Sequence, residues 1–171
     1  KPDVKGVYFN NFGTKFFDQA TKEGSTTLKL QLASEPDKLD PALNSTVDGG
    51  ILAAASFGGL YTYNEKGELA PNYATGYEMS EDGLTYTFTM RDGLKWSNGD
   101  PLTAKDFEYS WKRAVAAETA ADYSYMFDSI KGYPDALDVA ASEDGKTFTV
   151  HLNSPVAYFL DLAAFPTFFA V

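Results

Sequence analysis

Residues 80–116 read SEDGLTYTFTMRDGLKWSNGDPLTAKDFEYSWKRAVA, and this stretch decides the fold class. Leu84, Tyr86, Phe88 and Met90 alternate with Thr85, Thr87 and Thr89, a period of two that predicts a half-buried strand. Ser80-Glu81-Asp82-Gly83 supplies turn chemistry in front of it, and Arg91-Asp92-Gly93 and Ser97-Asn98-Gly99-Asp100-Pro101 supply it behind. Leu94-Lys95-Trp96 fits between these turns as a short return strand. Thr103 stands three residues before Asp106, the spacing of a helix N-cap with an acidic first turn. Phe107, Trp111, Ala114 and Val115 then follow on one helical face. The packed helix is expected over Thr103–Ala117. Strands and helices mixed in this order predict an α/β body in which helices pack on a mixed β-sheet.

The same turn and strand recur once. Ser80-Glu81-Asp82-Gly83-Leu84-Thr85-Tyr86-Thr87-Phe88 is matched by Ser142-Glu143-Asp144-Gly145-Lys146-Thr147-Phe148-Thr149-Val150, so Thr147–Leu152 is expected in the sheet with Leu84–Met90. Two copies make a pair of similar hairpins and not a solenoid. Elsewhere Val4–Phe9 is a strand candidate, Thr14–Lys22 fits either a helix face or a strand, and Leu28, Leu30 and Leu32 mark a strand with one buried face. Ser34–Pro41 is loop. Val47–Leu60 is expected to be helical, capped by Ser45 or Thr46 with Asp48 in the first turn, although four glycines weaken it. Tyr61–Tyr63, the turn Asn64-Glu65-Lys66-Gly67 and Leu69 make a hairpin, and Tyr73–Met79 leads into the central strand. Asp122–Ile130 is expected to be helical, Lys131–Ala141 to be loop and Pro155–Leu162 to be a short helix. The apolar end Phe165-Pro166-Thr167-Phe168-Phe169 is read as a surface that docks on a missing neighbour or was cut from something larger.

Composition narrows the function classes. The chain has 171 residues, with 14 basic against 24 acidic side chains and a net charge of −10, which disfavours nucleic acid and anionic lipid as partners. With no cysteine, disulfide and thiol chemistry are unavailable. The single histidine, His151, falls with Thr147 and Thr149 on the polar side of its strand, which favours a solvated residue over a general base. No Gly-x-Ser-x-Gly, phosphate loop, dinucleotide fingerprint or metal-ligand spacing occurs, so no catalytic residues, metal or cofactor are expected. Carboxylates close in sequence, Glu35 with Asp37 and Asp40, and Glu81 with Asp82, keep a hydrolase of the paired-carboxylate kind open as the weaker class. A bare interaction module is the other alternative.

From Leu84 to Trp111 the ordered run of strand, Arg-Asp-Gly, Lys-Trp-Ser-Asn-Gly-Asp-Pro, Thr-Ala-Lys-Asp-Phe and Tyr-Ser-Trp resembles the signature region of the extracytoplasmic oligopeptide-binding proteins of ABC importers. The resemblance extends back through Ser34-Glu35-Pro36-Asp37-Lys38-Leu39-Asp40-Pro41 and Leu69-Ala70-Pro71 and forward to Val171, covering residues 26–171. It implies the accessory domain and part of one ligand-facing lobe of a type II periplasmic-binding-protein-like fold. Residues 1–46 would belong to the ligand-facing domain, 47–164 to the accessory domain and 165–171 to a re-entry segment. The resemblance also implies a monomeric, extracytoplasmic protein, a lipoprotein in many family members, that binds oligopeptides and delivers them to a membrane permease. In that family the loop after the Asp-Pro pair lays main-chain groups along the peptide, which here points to Ser45, Thr46 and Val47. Tyr123 and Phe165 would line side-chain pockets. Residues 1–13 resemble the family's last strand, which would make residues 1–22 a C-terminal segment placed first, Glu23–Thr26 a joint, natural or made, and Val4–Phe9 a sheet companion of Leu28–Leu32.

Overall fold

The computed structural model describes residues 32–171 in full, together with the backbone of Val7–Phe9 and Thr14–Phe16. Those two short segments, β1 (Val7–Phe9) and β2 (Thr14–Phe16), pair antiparallel as a separate ribbon, so of the two readings open for Thr14–Lys22 its start takes the strand. The expected strand Leu28–Leu32 and the joint Glu23–Thr26 lie outside the described residues except for Leu32, which has no strand assignment.

The body is an antiparallel four-stranded sheet in the order β5-β6-β8-β7, formed by β5 (Ala74–Met79), β6 (Thr85–Met90), β7 (Val139–Ala141) and β8 (Thr147–His151). The period-two reading of β6 holds: Tyr86, Phe88 and Met90 are buried, while Thr85 and Thr87 are half-buried and Thr89 is exposed. The repeated turns are the same structure twice. The Ser80 and Ser142 hydroxyls donate to Asp82 and Asp144, both at 2.6 Å, and accept the amides of Thr85 and Thr147 at 2.9 and 3.0 Å. Gly83 and Gly145 sit at φ 71° and 70°, a left-handed conformation that costs a side-chain-bearing residue about 1 kcal/mol or more. Local chemistry alone therefore closes both turns, which is why they were legible.

Helix α2 (Ala104–Val115) covers one face of this sheet near β7 and β8. Thr103 and Asp106 form the reciprocal capping box expected from their spacing, so Thr103 is the cap and Ala116 ends the helix. Phe107 and Trp111 face inward with no exposure. Trp111 is the centre of the core: its ring lies 5.0 Å from Phe148, 5.1 Å from Phe168 and 5.7 Å from Phe127, and its Nε1–H donates to the Phe168 carbonyl at 2.8 Å. The apolar end expected to dock elsewhere is thus packed into this chain's own core, with Phe168, Phe169 and Ala170 all buried. Satisfying the indole donor and burying two aromatic rings outweighs leaving that segment in water.

Several boundaries differ from the sequence expectation, each for a tertiary reason. Leu94–Trp96 forms only an isolated bridge, Lys95 opposite Pro101, because a turn closed by Gly99 N–H to the Trp96 carbonyl occupies the space and Pro101 has no amide to extend a ladder. The glycine-rich helix α1 runs Val47–Ser56 and stops short of Leu60. The Gly59 and Leu60 carbonyls instead accept the amides of Tyr73, Asn72 and Ala74, which draws the chain straight into β3 (Tyr61–Tyr63) and its partner β4 (Leu69–Pro71). Asp122–Ile130 is a series of i→i+3 turns with one 3-10 segment, Ser124–Phe127, and not an α-helix. That tighter winding aligns residues three apart, and it turns Phe127 and Ile130 inward, both fully buried. The end of the expected loop Lys131–Ala141 becomes strand β7 because β8 offers it a register, Val139 opposite Val150. Before α3 (Phe159–Leu162), Pro155 and Val156 are irregular and Ala157–Tyr158 is turn, so the expected helix shrinks to four residues.

Candidate functional site

The loop Ala42–Asp48 is built around its own hydrogen-bond needs. Asp40 accepts the Ala42 amide through Oδ1 at 3.0 Å and the Leu43 and Asn44 amides through its carbonyl at 3.1 and 2.9 Å. Asn44 Oδ1 accepts the Thr46 amide at 3.2 Å, and Thr46 Oγ1 accepts Gly49 N–H at 3.3 Å as the N-cap of α1. A side chain at Gly49 would collide with Asn44 Oδ1, so close packing accounts for that glycine in the helix. Among the described residues this leaves the amides of Ser45, Val47 and Asp48 without an intramolecular acceptor. Two of them belong to the predicted trio Ser45, Thr46 and Val47, whereas the amide and hydroxyl of Thr46 are spent on the cap.

The loop is anchored from three sides. Arg113 of α2 holds Asp40 through both terminal guanidinium nitrogens, Nη1 to Oδ1 at 3.2 Å and Nη2 to Oδ2 at 2.5 Å. Burial pushes the Asp40 carboxyl up, but the Arg113 hydrogen bond, the Ala42 amide and the Arg113 charge outweigh it and keep Asp40 below its ordinary value. Asp48, buried at 8% exposure, accepts the Ser34 hydroxyl and the amides of Ala33 and Ser34 at 3.1 and 3.2 Å. The Ser34 hydroxyl and these amides hold the Asp48 carboxyl low. The third anchor comes from the 3-10 region: Tyr123 donates its hydroxyl to the Ser45 carbonyl at 3.3 Å, and Ser45 Oγ donates to Asp122 Oδ2 at 2.8 Å.

Three of the five residues expected at a site, Ser45, Tyr123 and Phe165, are thus joined by contacts. Tyr123 meets Ser45 by hydrogen bond and Phe165 by an edge-to-face ring contact at 5.9 Å, and Thr46 follows Ser45 in the same loop. Val47 begins α1 and is 51% exposed, an apolar side chain left open beside two free amides. Asp122 and Asp48 did not emerge from the sequence as site residues. The only local signal for Asp122 was its place in Asp122-Tyr123-Ser124-Tyr125. Its partner Ser45 lies 77 residues away. Of the carboxylates raised for a hydrolase, Asp40 is committed to Arg113 and Asp82 to the Ser80 turn. His151 is half-buried against Asp138, Nδ1 to Oδ1 at 3.1 Å. Among the described residues no group of three or more His, Cys, Asp or Glu is placed to hold a metal ion, and no helix is long and apolar enough to cross a membrane.

What such a loop can do is hold a polar extended chain: free amides donate to main-chain carbonyls, and the Tyr123–Phe165 wall offers apolar contact. The sequence profile of the bacterial extracellular solute-binding proteins, family 5, middle region, matches residues 68–171. The chain belongs to that family. Among similar family-5 proteins, the oligopeptide-binding protein OppA of Bacillus subtilis is 41% identical over 173 residues, covering 95% of this chain and 31% of its own length. The dipeptide-binding protein of Lactococcus lactis is 43% identical over 119 residues, covering 65% of this chain and 22% of its own. Among solved structures, Haemophilus influenzae OppA in complex with the peptide RPPGFSPFR matches with a TM-score of 0.75 at 33% identity, over 81% of this chain and 29% of that one. The Escherichia coli murein tripeptide-binding protein MppA matches at 0.74 and 36%, over 82% and 29%. The chain therefore spans 22 to 31% of the length of these family-5 relatives, and its mixed α/β body is that of the solved structures in that portion.

Proposed function

We propose that this chain is the peptide-holding part of an extracytoplasmic solute-binding protein that serves the permease of an ABC importer, and that it is a binding protein and not an enzyme. The observation that carries the reading is that Tyr123, in ring contact with Phe165, is hydrogen-bonded to the loop whose Ser45 and Val47 amides have no acceptor among the described residues. Backbone donors recognise what every peptide shares, its main-chain carbonyls, and leave side chains to looser contacts, which is the chemistry a general peptide receptor needs. The peptide-binding names of its family-5 relatives support the same reading. Residues 1–46 and 165–171 are assigned to the ligand-facing side and 47–164 to the accessory domain. One core cluster nevertheless runs from Ala42 through the sheet to Ala170, so within residues 42–170 the two sides pack as one body.

Calorimetric titration of the 171-residue chain with a mixed pool of di- to pentapeptides tests it. Saturable heat is expected, weakened by Tyr123→Ala and unchanged by Thr62→Ala on the exposed side of β3. Turnover of chromogenic glycosides or peptides that vanishes on Glu35→Gln would replace the binding reading with a hydrolase.

A further inference from the structure

We propose that Asp122, set beside the Tyr123 ring, forms a subsite for an ammonium group carried by the peptide; this rests on the peptide-binding reading above. Asp122 and Tyr123 both reach the same residue. The Asp122 carboxylate takes the Ser45 hydroxyl at 2.8 Å through Oδ2, and the Tyr123 hydroxyl meets the Ser45 carbonyl at 3.3 Å. Charge and ring therefore converge on the stretch of loop whose amides are free.

Three features fit a cation. Asp122 is exposed and has no cationic partner among the described residues, unlike Asp40 and Asp138, which pair with Arg113 and Lys131. Among the described residues its second oxygen, Oδ1, makes no hydrogen bond. From Ala114 to Ile130 the chain holds Glu118, Asp122 and Asp128 and no lysine or arginine, so this stretch supplies no cation of its own to compete for Asp122. The Tyr123 ring makes edge-to-face contacts with Phe165 at 5.9 Å and with Tyr125 at 6.1 Å, and Tyr125 is 57% exposed. An aromatic ring next to a carboxylate combines ion pairing with attraction of the cation to the π-face.

The ammonium could be a lysine side chain or the peptide's own α-amino group, and one experiment separates the sources. Ala-Ala-Ala, Ala-Lys-Ala and their N-acetylated forms are titrated into the 171-residue chain and into Asp122→Asn. Asparagine keeps an oxygen to accept the Ser45 hydroxyl, so the loop stays anchored while the charge is removed. The ammonium-bearing peptides are expected to bind roughly threefold to tenfold tighter than the matched peptide lacking that group, an advantage that falls with salt and disappears in Asp122→Asn. A gain on adding lysine to the acetylated peptide assigns the subsite to the side chain, and a loss confined to acetylation assigns it to the α-amine. Equal affinities across the series, or a preference that survives in Asp122→Asn, overturns the subsite and leaves peptide binding standing. Absence of binding by every peptide overturns both.

Discussion

Thr87 and Thr149 stand directly opposite one another at the centre of the sheet, and they are the same position of the internal repeat. The flanking pairs exchange equivalent positions: Thr85 faces His151 while its repeat equivalent Thr147 faces Thr89, the equivalent of His151. The two hairpins are therefore related by a local two-fold axis through this threonine pair, whose hydroxyl oxygens lie 3.5 Å apart. The axis puts Phe88 opposite Phe148 on the core face and the threonines together on the other.

The two faces of that axis should differ sharply in what they contribute. Replacing Thr87 and Thr149 together by valine keeps the branched shape and loses one long hydroxyl contact, so stability should change by less than about 1 kcal/mol. Phe88→Ala, at a site with no exposure, should cost about 3 to 5 kcal/mol. Urea unfolding followed by circular dichroism measures both, and comparable losses would refute the face assignment.

The equivalent turn glycines supply a second comparison. Gly83→Ala and Gly145→Ala both force a left-handed alanine at about 1 kcal/mol. A side chain at Gly83 would reach only ordinary contact with Pro155 at 3.5 Å, whereas at Gly145 it would press on Thr103 Cβ at 2.9 Å. Gly145→Ala should therefore be the more destabilising of the two and should also loosen the α2 cap. Equal melting temperatures for the two variants would count against the packing of α2 on the second hairpin.

Trp111→Phe should cost about 2 kcal/mol or more, since it leaves the Phe168 carbonyl without its indole donor and opens space among three rings. Its separate signature is exchange: the Phe168 and Phe169 amides should lose protection more than those of β6. Uniform loss across the chain would show that the apolar end is not a distinct unit held by this residue.

Asp40 gives a pH dependence with a definite sign. Its folded-state value lies below the ordinary 3.8, so the Asp40–Arg113 pair contributes stability above that ordinary value and loses it as pH falls through the lowered one. The pair is partly exposed, with 30% and 26% of the side chains accessible, which limits the contribution to about 1 kcal/mol. The difference in unfolding free energy between the unmodified chain and Asp40→Asn should be present at neutral pH and shrink as pH falls below the ordinary 3.8 and through the lowered value. A difference that grows on acidification would reverse the assignment.

What the sequence determined by itself is what short-range chemistry closes. The alternation of β6 and β8, the Ser-x-Asp-Gly turns, the Thr103–Asp106 capping box and the Asn64–Gly67 hairpin turn each need partners within a few residues, so their signals were complete in the chain. The ordered motifs from Leu84 to Trp111 carried the family in the same local way, and family 5 is what the profile over residues 68–171 shows. Tertiary structure decided the rest. Whether Val47–Leu60 stayed helical depended on carbonyls of Gly59 and Leu60 being claimed by amides at Asn72 to Ala74. Whether Val139–Ala141 became a strand depended on an open edge of β8, and whether Phe165–Phe169 was surface or core depended on Trp111 needing an acceptor and rings to pack on. The site divides along the same line. Ser45, Thr46 and Tyr123 were named from motif order, but Asp122 and Asp48 draw their roles from Ser45, Ala33 and Ser34, partners 77, 15 and 14 residues away. No periodicity or spacing encodes such pairings; they exist only once the core has brought the loop and the 3-10 turn together.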